Sequence, residues 1–161
     1  MTIPIDSAYF RRILGHYPTG ICIITSIDAE GAPLGMVVGS FTSVSLDPPL
    51  VGFLPTTNSE SWRRIGESGR FCVNVLSSQQ ETLCRTFASR IPDKYAGIDY
   101  RLSPGGLPIF DGAIAWIECD IHAVHEAGDH LIVLGDVRAL DVEHPESPLL
   151  FFKGDYVSLN V

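Results

Sequence analysis

Apolar and polar positions along this chain follow mostly the two-residue period of β-strands, and the helical period of 3–4 residues surfaces only in short stretches. The first stretch is helical: Asp6 or Ser7 can cap it, Phe10, Ile13 and Leu14 share one face, and Gly15 with Pro18 stops it. A strand rich in Ile and Thr then runs from Gly20 to Ile27, and Asp28-Ala29-Glu30-Gly31 reads as a turn. A second strand spans Leu34 to Val44, punctuated by Gly35 and Gly39. After Pro48-Pro49, the all-apolar Leu50-Val51-Gly52-Phe53-Leu54 predicts a short strand buried on both faces.

A polar run from Thr56 to Ser61 leads into a short helix around Trp62-Arg63-Arg64-Ile65, ended by Gly66 or Gly69. Phe71 to Leu76 predicts another strand. Ser78-Gln79-Gln80-Glu81 fits a capping box ahead of a helix whose apolar face is Leu83, Phe87 and Ala88. Pro92 to Pro108 is irregular and long enough to be a functional loop. The clearest alternation sets Ala113, Ala115, Ile117, Cys119, Ile121 and Ala123 against Glu118, Asp120 and His122, predicting a strand with one buried and one solvated face. Glu126-Ala127-Gly128-Asp129 turns it, and His130 to Leu140 returns. Leu149 to Phe152 and Tyr156 to Leu159, separated by Gly154-Asp155, complete the pattern. Six or more strands with hairpin connections and three short helices give a mainly β, antiparallel architecture, and closing the sheet into a barrel removes its exposed edges. No repeat or linker divides residues 1–161, which reads as a single domain.

Composition narrows the function classes. In 161 residues, 11 Lys+Arg stand against 19 Asp+Glu, a net charge of −8. That balance disfavours a nucleic-acid partner, which needs a clustered basic surface. No apolar stretch approaches a membrane span, and Met1-Thr2-Ile3-Pro4-Ile5-Asp6 lacks the features of a signal peptide, so a soluble, cytoplasmic protein is expected. A mean hydropathy of +0.20 suggests further burial between subunits. Cys22, Cys72, Cys84 and Cys119 are widely spaced without a C-x-x-C pair, and read as structural thiols.

The chain has no G-x-G-x-x-G, Walker loop, G-x-S-x-G elbow or H-E-x-x-H. His122, His125 and His130 lie close together beside Glu126 and Asp129. Their odd spacing on a strand separates His122 from His125, while His125 and His130 could face each other across the turn; no metal is expected. Two stretches carry more chemistry. Hydroxyls, an amide and free backbone N–H groups between Thr56 and Ser61 converge at a helix N-terminus, where a phosphate is favoured and where Ser59 or Ser61 can equally act as a cap. Gly35-Met36-Val37-Val38-Gly39-Ser40-Phe41 places small residues where a strand prefers bulk, the mark of a bulge or of a close approach by a ligand or another backbone.

Several blocks, in order, resemble the short-chain flavin reductase family, the reductase components of two-component flavin-dependent monooxygenases. They are Pro18-Thr19-Gly20-Ile21-Cys22-Ile23-Ile24-Thr25, Gly35-Met36, and Ser40 through Val51 with Ser-Phe-Thr-Ser-Val-Ser-Leu-Asp-Pro-Pro at its head. The similarity continues through Ser68 to Leu76, Phe87-Ala88, Gly106-Leu107-Pro108, Glu118-Cys119, Gly128-Asp129-His130 and Gly135-Asp136-Val137. It implies an antiparallel split β-barrel, the FMN-binding split barrel, with a few short flanking helices and a homodimeric assembly.

The resemblance further implies FMN or FAD along Gly35, Met36, Val37, Val38, Gly39, Ser40 and Phe41 and along the strand that carries Phe53 and Leu54. The flavin phosphate would sit at Asn58, Ser59 and Ser61, with Asn74, Phe87 and Lys94 as additional flavin contacts. His130 would be the catalytic residue, beside the nicotinamide of NADH or NADPH. The implied activity is hydride transfer from NAD(P)H to flavin, with reduced flavin passed to an oxygenase component. Backbone N–H groups around Val38 to Phe41 would hold the charge that develops on the reduced ring. Many relatives have Thr in place of Val37 and Asn or Ser in place of Gly39, so backbone groups would replace two polar side chains here. A 2′-phosphate would need a base such as Arg85, Arg90, Lys94 or Arg101. The same barrel could instead serve as a flavin- or haem-binding carrier or sensor, or as a flavoenzyme whose tightly held flavin reduces another substrate.

Overall fold

The computed structural model describes residues 3–159, so Met1 and Thr2 of the N-terminal reading, and both ends of the 1–161 span, lie outside the described residues. Helix α1 is Ser7–Leu14, with the Asp6 carboxylate accepting the Tyr9 N–H at 2.7 Å as its N-cap. The strands are β1 (Thr19–Gly20), β2 (Cys22–Ile27), β3 (Pro33–Val38), β4 (Thr42–Leu46), β5 (Pro49–Phe53), β6 (Arg70–Val75), β7 (Tyr100–Leu102), β8 (Pro108–Phe110), β9 (Ala115–Ala127), β10 (His130–Val142), β11 (Leu149–Phe152) and β12 (Asp155–Ser158). Helix α2 (Glu60–Ser68) follows β5, and α3 (Glu81–Ala88) follows β6. No helix among the described residues is long and apolar enough to cross a membrane.

Seven strands form one antiparallel sheet in the order β3-β2-β6-β9-β10-β5-β4. Its two edge strands, β3 and β4, are joined by Gly39-Ser40-Phe41 alone. Edges so close in sequence cannot lie at the ends of a flat sheet, so the sheet curls into a barrel left open between β3 and β4. The inner face carries Ile24, Leu34, Val51, Phe53, Phe71, Val73, Cys119 and Val133, all buried in one cluster, with Trp62 and Ile65 of α2 plugging it. A second core outside the barrel packs Ile21, Ile23 and Leu76 against Cys84 and Phe87 of α3 and against Phe110 and Leu149. The hairpin β11–β12 pairs with β1 and closes this outer core.

Several expectations are corrected. The strand expected from Leu34 to Val44 is two strands on opposite sheet edges, because Gly39 to Phe41 turn the chain from β2's neighbour to β5's. Burial on both faces holds for Val51 to Phe53, whereas Leu54, one residue past the strand, is 42% exposed. The capping box sits one residue earlier, where the Ser77 N–H donates to Gln80 Oε1 at 2.9 Å. His125 lies opposite Ile132, and His130 lies opposite Ala127, so the two histidines do not face each other.

Glu118 departs furthest from the solvated face that alternation assigns it, at 9% exposure. The loop between β7 and β8 folds over that face of β9, and the Glu118 carboxylate accepts from Ser103 Oγ and, at 2.8 Å, from the Gly105 N–H. Cys72, Leu107, Ile109 and Trp116 form a small third cluster. Alternation records which way a side chain points and not what covers it.

Candidate functional site

Three remote segments meet where β5 ends. Ser40 Oγ, in the bend between the two edge strands, accepts the Leu54 N–H at 2.9 Å. Pro55 O accepts the Leu131 N–H at 2.9 Å, Thr56 forms a bridge with His130, and Asp129 O accepts the Thr57 N–H at 3.0 Å. The segment from Leu54 to Thr57 is therefore held on one side by the barrel's open seam and on the other by the β9–β10 turn. It leads straight into α2, where Ser59 caps the helix by accepting the Trp62 N–H at 3.1 Å. That bond uses a lone pair of Ser59 and leaves its O–H free to donate.

Beside this junction a cleft of about 320 Å³ runs along β3, between the start of α2 and the loop after α3. Gly35, Ser61, Phe87 and Lys94, taken from four separate places in the sequence, all line it, together with Glu60, Arg64, Asp93 and Tyr95. Arg64 also pairs with Asp28 at 2.7 Å, and Lys94 Nζ donates to the Phe87 carbonyl at 2.9 Å, which orders both cations without consuming all their donors. A phosphate entering beside Ser61 would thus meet a hydroxyl, two cations and the helix α2 N-terminus.

The β3 backbone adds donors. Asp28 N–H bonds Ala32 O, and the register pairs Ile24 with Met36 and Cys22 with Val38 without a shift. Backbone groups alternate sides along an antiparallel strand, so Met36 and Val38 bond into β2, while Gly35 and Val37 turn their N–H and C=O toward the open seam. Of the donors expected from Val38 to Phe41, that of Val38 is taken up within the sheet, and Gly35 and Val37 present theirs instead. The Tyr95 hydroxyl donates to Leu34 O at 2.7 Å, and burial pushes its pKa up, so it stays a donor.

The remaining site residues divide plainly. Gly39, Ser40 and Phe41 line a second cleft of about 410 Å³ on the far side of the bend, with Tyr17, Thr19 and Thr42. Asn58 is exposed beside the α2 cap, Met36 packs toward the inner core, and Val37 toward the outer core. Phe53 is 1% exposed inside the barrel. Asn74 is fully buried: its Oδ1 accepts the Phe110 N–H at 2.9 Å and its Nδ2 donates to Pro108 O at 3.2 Å, so it ties β6 to β8 and does not reach either cleft. Phe87 is 2% exposed and forms the floor of the first cleft rather than a wall. A Cβ on Gly35 would lie 2.5 Å from the Phe87 ring, and one on Gly39 would lie 3.0 Å from Thr19 Oγ1. The close approach that these glycines permit is therefore to the protein's own side chains.

Arg64, whose charge beside the helix start is legible in the sequence, lines the cleft, while Tyr95 escaped the sequence reading as a site residue although it follows Lys94 directly. At the turn, His130 Nδ1 lies 2.7 Å from Asp129 Oδ1, and this hydrogen bond, followed by the imidazole charge, holds the Asp129 carboxyl below the usual carboxylate range. Among the described residues no three His, Cys, Asp or Glu gather as a metal site.

Comparison with known proteins bears on the chain as a whole. The sequence profile of the flavin reductase like domain matches residues 14–160. A flavin reductase from Pseudomonas putida is 57% identical over 152 residues, covering 94% of this chain and 89% of that protein. The reductase subunit HsaB of a flavin-dependent monooxygenase from Rhodococcus jostii is 48% identical over 155 residues, covering 96% and 79%. Among solved structures, nitrilotriacetate monooxygenase component B from Mycobacterium thermoresistibile superposes with a TM-score of 0.93 at 49% identity, over 96% of this chain and 87% of that one. The NADH:FAD oxidoreductase SgcE6 from Streptomyces globisporus, solved in complex with NAD and FAD fragments, gives a TM-score of 0.90 at 35% identity, over 98% and 94%.

Proposed function

The chain belongs to the flavin reductase like domain family, and from that premise we propose that it is an NAD(P)H-dependent flavin reductase, acting on FMN or FAD and supplying reduced flavin to a partner monooxygenase. The observation that carries this reading is the clamp on Leu54 to Thr57, which brings the open seam, the α2 N-terminus and the His130 turn to one place.

The donor set fits a phosphorylated, planar ligand. Ser61, Lys94 and Arg64 would hold the flavin phosphate, with Asn58 and Ser59 at the helix start. Gly35 and Val37 N–H groups, turned to the seam, would bond the ring edge. Flavin and nicotinamide carry the hydride chemistry themselves once their rings are stacked. What the protein adds is proximity and preorganised donors. His130 would orient the nicotinamide of NADH or NADPH beside that seam.

The reading takes residues 1–161 as one cytoplasmic domain that works as a homodimer. Four free, buried cysteines suit a reducing compartment. Phe10, Ile13 and Leu14 of α1, which buries none of its residues, and Leu46 at 95% exposure supply apolar surface for a second copy. The isolated chain exposes 9606 Å², against about 7,900 Å² for a compact monomer of this mass.

Anaerobic mixing tests the proposal. With protein present, NADH or NADPH should bleach the visible absorbance of added flavin within seconds and in proportion to turnover. Bleaching no faster than in buffer contradicts it.

A further inference from the structure

We propose that Asp129 is a positioning residue that fixes the tautomer of His130, so that His130 Nε2 meets the nicotinamide as a hydrogen-bond acceptor for its carboxamide N–H. The inference rests on the proposed placement of His130 at the nicotinamide and goes beyond it by assigning the ring's protonation and the group it recognises.

The main chain around both residues is held independently of their side chains. Gly128, at φ +65°, allows the tight turn. Asp129 O accepts from Thr57 N–H at 3.0 Å and from Thr57 Oγ1 at 3.3 Å, and Leu131 N–H bonds Pro55 O at 2.9 Å. With the backbone fixed, the Asp129 carboxylate folds back onto the adjacent imidazole at 2.7 Å. An ionised carboxylate only accepts hydrogen bonds, so His130 Nδ1 must carry the proton. In the neutral ring Nε2 then presents a lone pair. The imidazole side chain is 44% exposed and the Asp129 side chain 94%, and the imidazole's hydrogen bond among the described residues is made through Nδ1, leaving Nε2 open. An acceptor so presented matches the N–H of a carboxamide and repels a carboxylate at the same place. His122, bonded through Nδ1 to Asp136 at 3.1 Å on the neighbouring strands, repeats the pairing away from the clamped turn and serves as an internal reference.

Two readouts test this in the full chain. The first is the ¹⁵N spectrum of the imidazoles, taken on the neutral rings. The wild-type protein should show His130 with a protonated Nδ1. Asp129→Asn, whose amide can donate as well as accept, and Asp129→Ala should shift His130 toward the Nε2–H form while His122 stays unchanged. The second readout compares the dissociation constants of oxidised NAD and of its 3-acetylpyridine analogue, which lacks the amide N–H and undergoes no reaction here. Wild type should prefer NAD by ~5-fold, the worth of one hydrogen bond, and both Asp129 variants should lose that preference. A wild-type Nε2–H tautomer overturns the proposal. So does a preference that survives both Asp129 substitutions but vanishes in His130→Ala, a result that leaves the nicotinamide placement standing. If His130→Ala changes the affinity of neither nucleotide, the placement and the proposal fall together.

Discussion

Ser40 accepts the Leu54 N–H through its side-chain oxygen at 2.9 Å, fastening the bend between the barrel's two edge strands to the end of β5. This bond spans the open seam that neither β3 nor β4 closes with backbone pairing. Removing the hydroxyl in Ser40→Ala frees an exposed N–H that water can take up, so the stability cost is about 1 kcal/mol or less. The seam, however, loses its register. The flavin KM should rise several-fold with little change in melting temperature, which steady-state kinetics and thermal denaturation read separately.

Gly35 and the Phe87 ring occupy one space. A methyl group at Gly35 would sit 2.5 Å from Phe87 Cε1, and that ring is itself packed at 5.0 Å from Tyr95 and 5.1 Å from Phe110 between centroids. Gly35→Ala should therefore cost ~1–3 kcal/mol by overpacking and lower the melting temperature by ~2–10 °C. Because Phe87 floors the first cleft, flavin binding should weaken as well. Gly20→Ala, whose added Cβ meets nothing within 4 Å, is the control and should melt close to wild type.

Burial raises the Cys22 thiol from 9.0 to about 12, and burial, followed by the nearby Asp120, Asp136 and Glu118, raises Cys119 to about 12. The unfolded chain releases these protons near pH 9, and the native protein keeps them until near pH 12. Their contribution to stability is thus complete below pH 9 and is lost as the pH climbs toward 12. Denaturant unfolding between pH 8 and about 10.5 should show stability falling with pH, and Cys22→Ala should flatten the slope. The same thiols should react with thiol reagents only as fast as the protein opens.

The apolar face of α1 and the tip of the β4–β5 hairpin have a common expected consequence. Phe10 is 56% and Leu46 is 95% exposed in the isolated chain. If a second copy covers them, Phe10→Glu and Leu46→Asp should each shift sedimentation from dimer toward monomer, while the far-ultraviolet spectrum stays the same. Sedimentation of the wild-type chain as a monomer at micromolar concentration contradicts the homodimer.

Much of this fold is legible in the sequence, for identifiable reasons. Helix α1 carries its own cap in Asp6 and its own stop in Gly15, and the strand starting at His130 follows a turn that glycine marks at Gly128. What escapes is set by tertiary neighbours. Nothing local shows that Leu34 to Val44 must break at Gly39 to reach two different partners, or that a loop fifteen residues upstream will cover Glu118 with the Ser103 hydroxyl. The site divides the same way. The polar run at the start of α2 and the Gly-Asp-His turn stand out as motifs, and Lys94 lies on the first cleft. Asn74, which the resemblance offers as a flavin contact, has its side chain taken up instead by the Pro108 carbonyl and the Phe110 N–H.

The most direct test of the central claim is aerobic oxidation of NADH and NADPH by the purified protein as a function of added FMN or FAD. A reductase that treats flavin as a diffusible substrate predicts a rate near zero without added flavin that rises and saturates as flavin is supplied, and a lower saturating rate or higher nucleotide KM in His130→Ala. Turnover independent of added flavin, or tight flavin binding with no oxidation of either nucleotide, would contradict it.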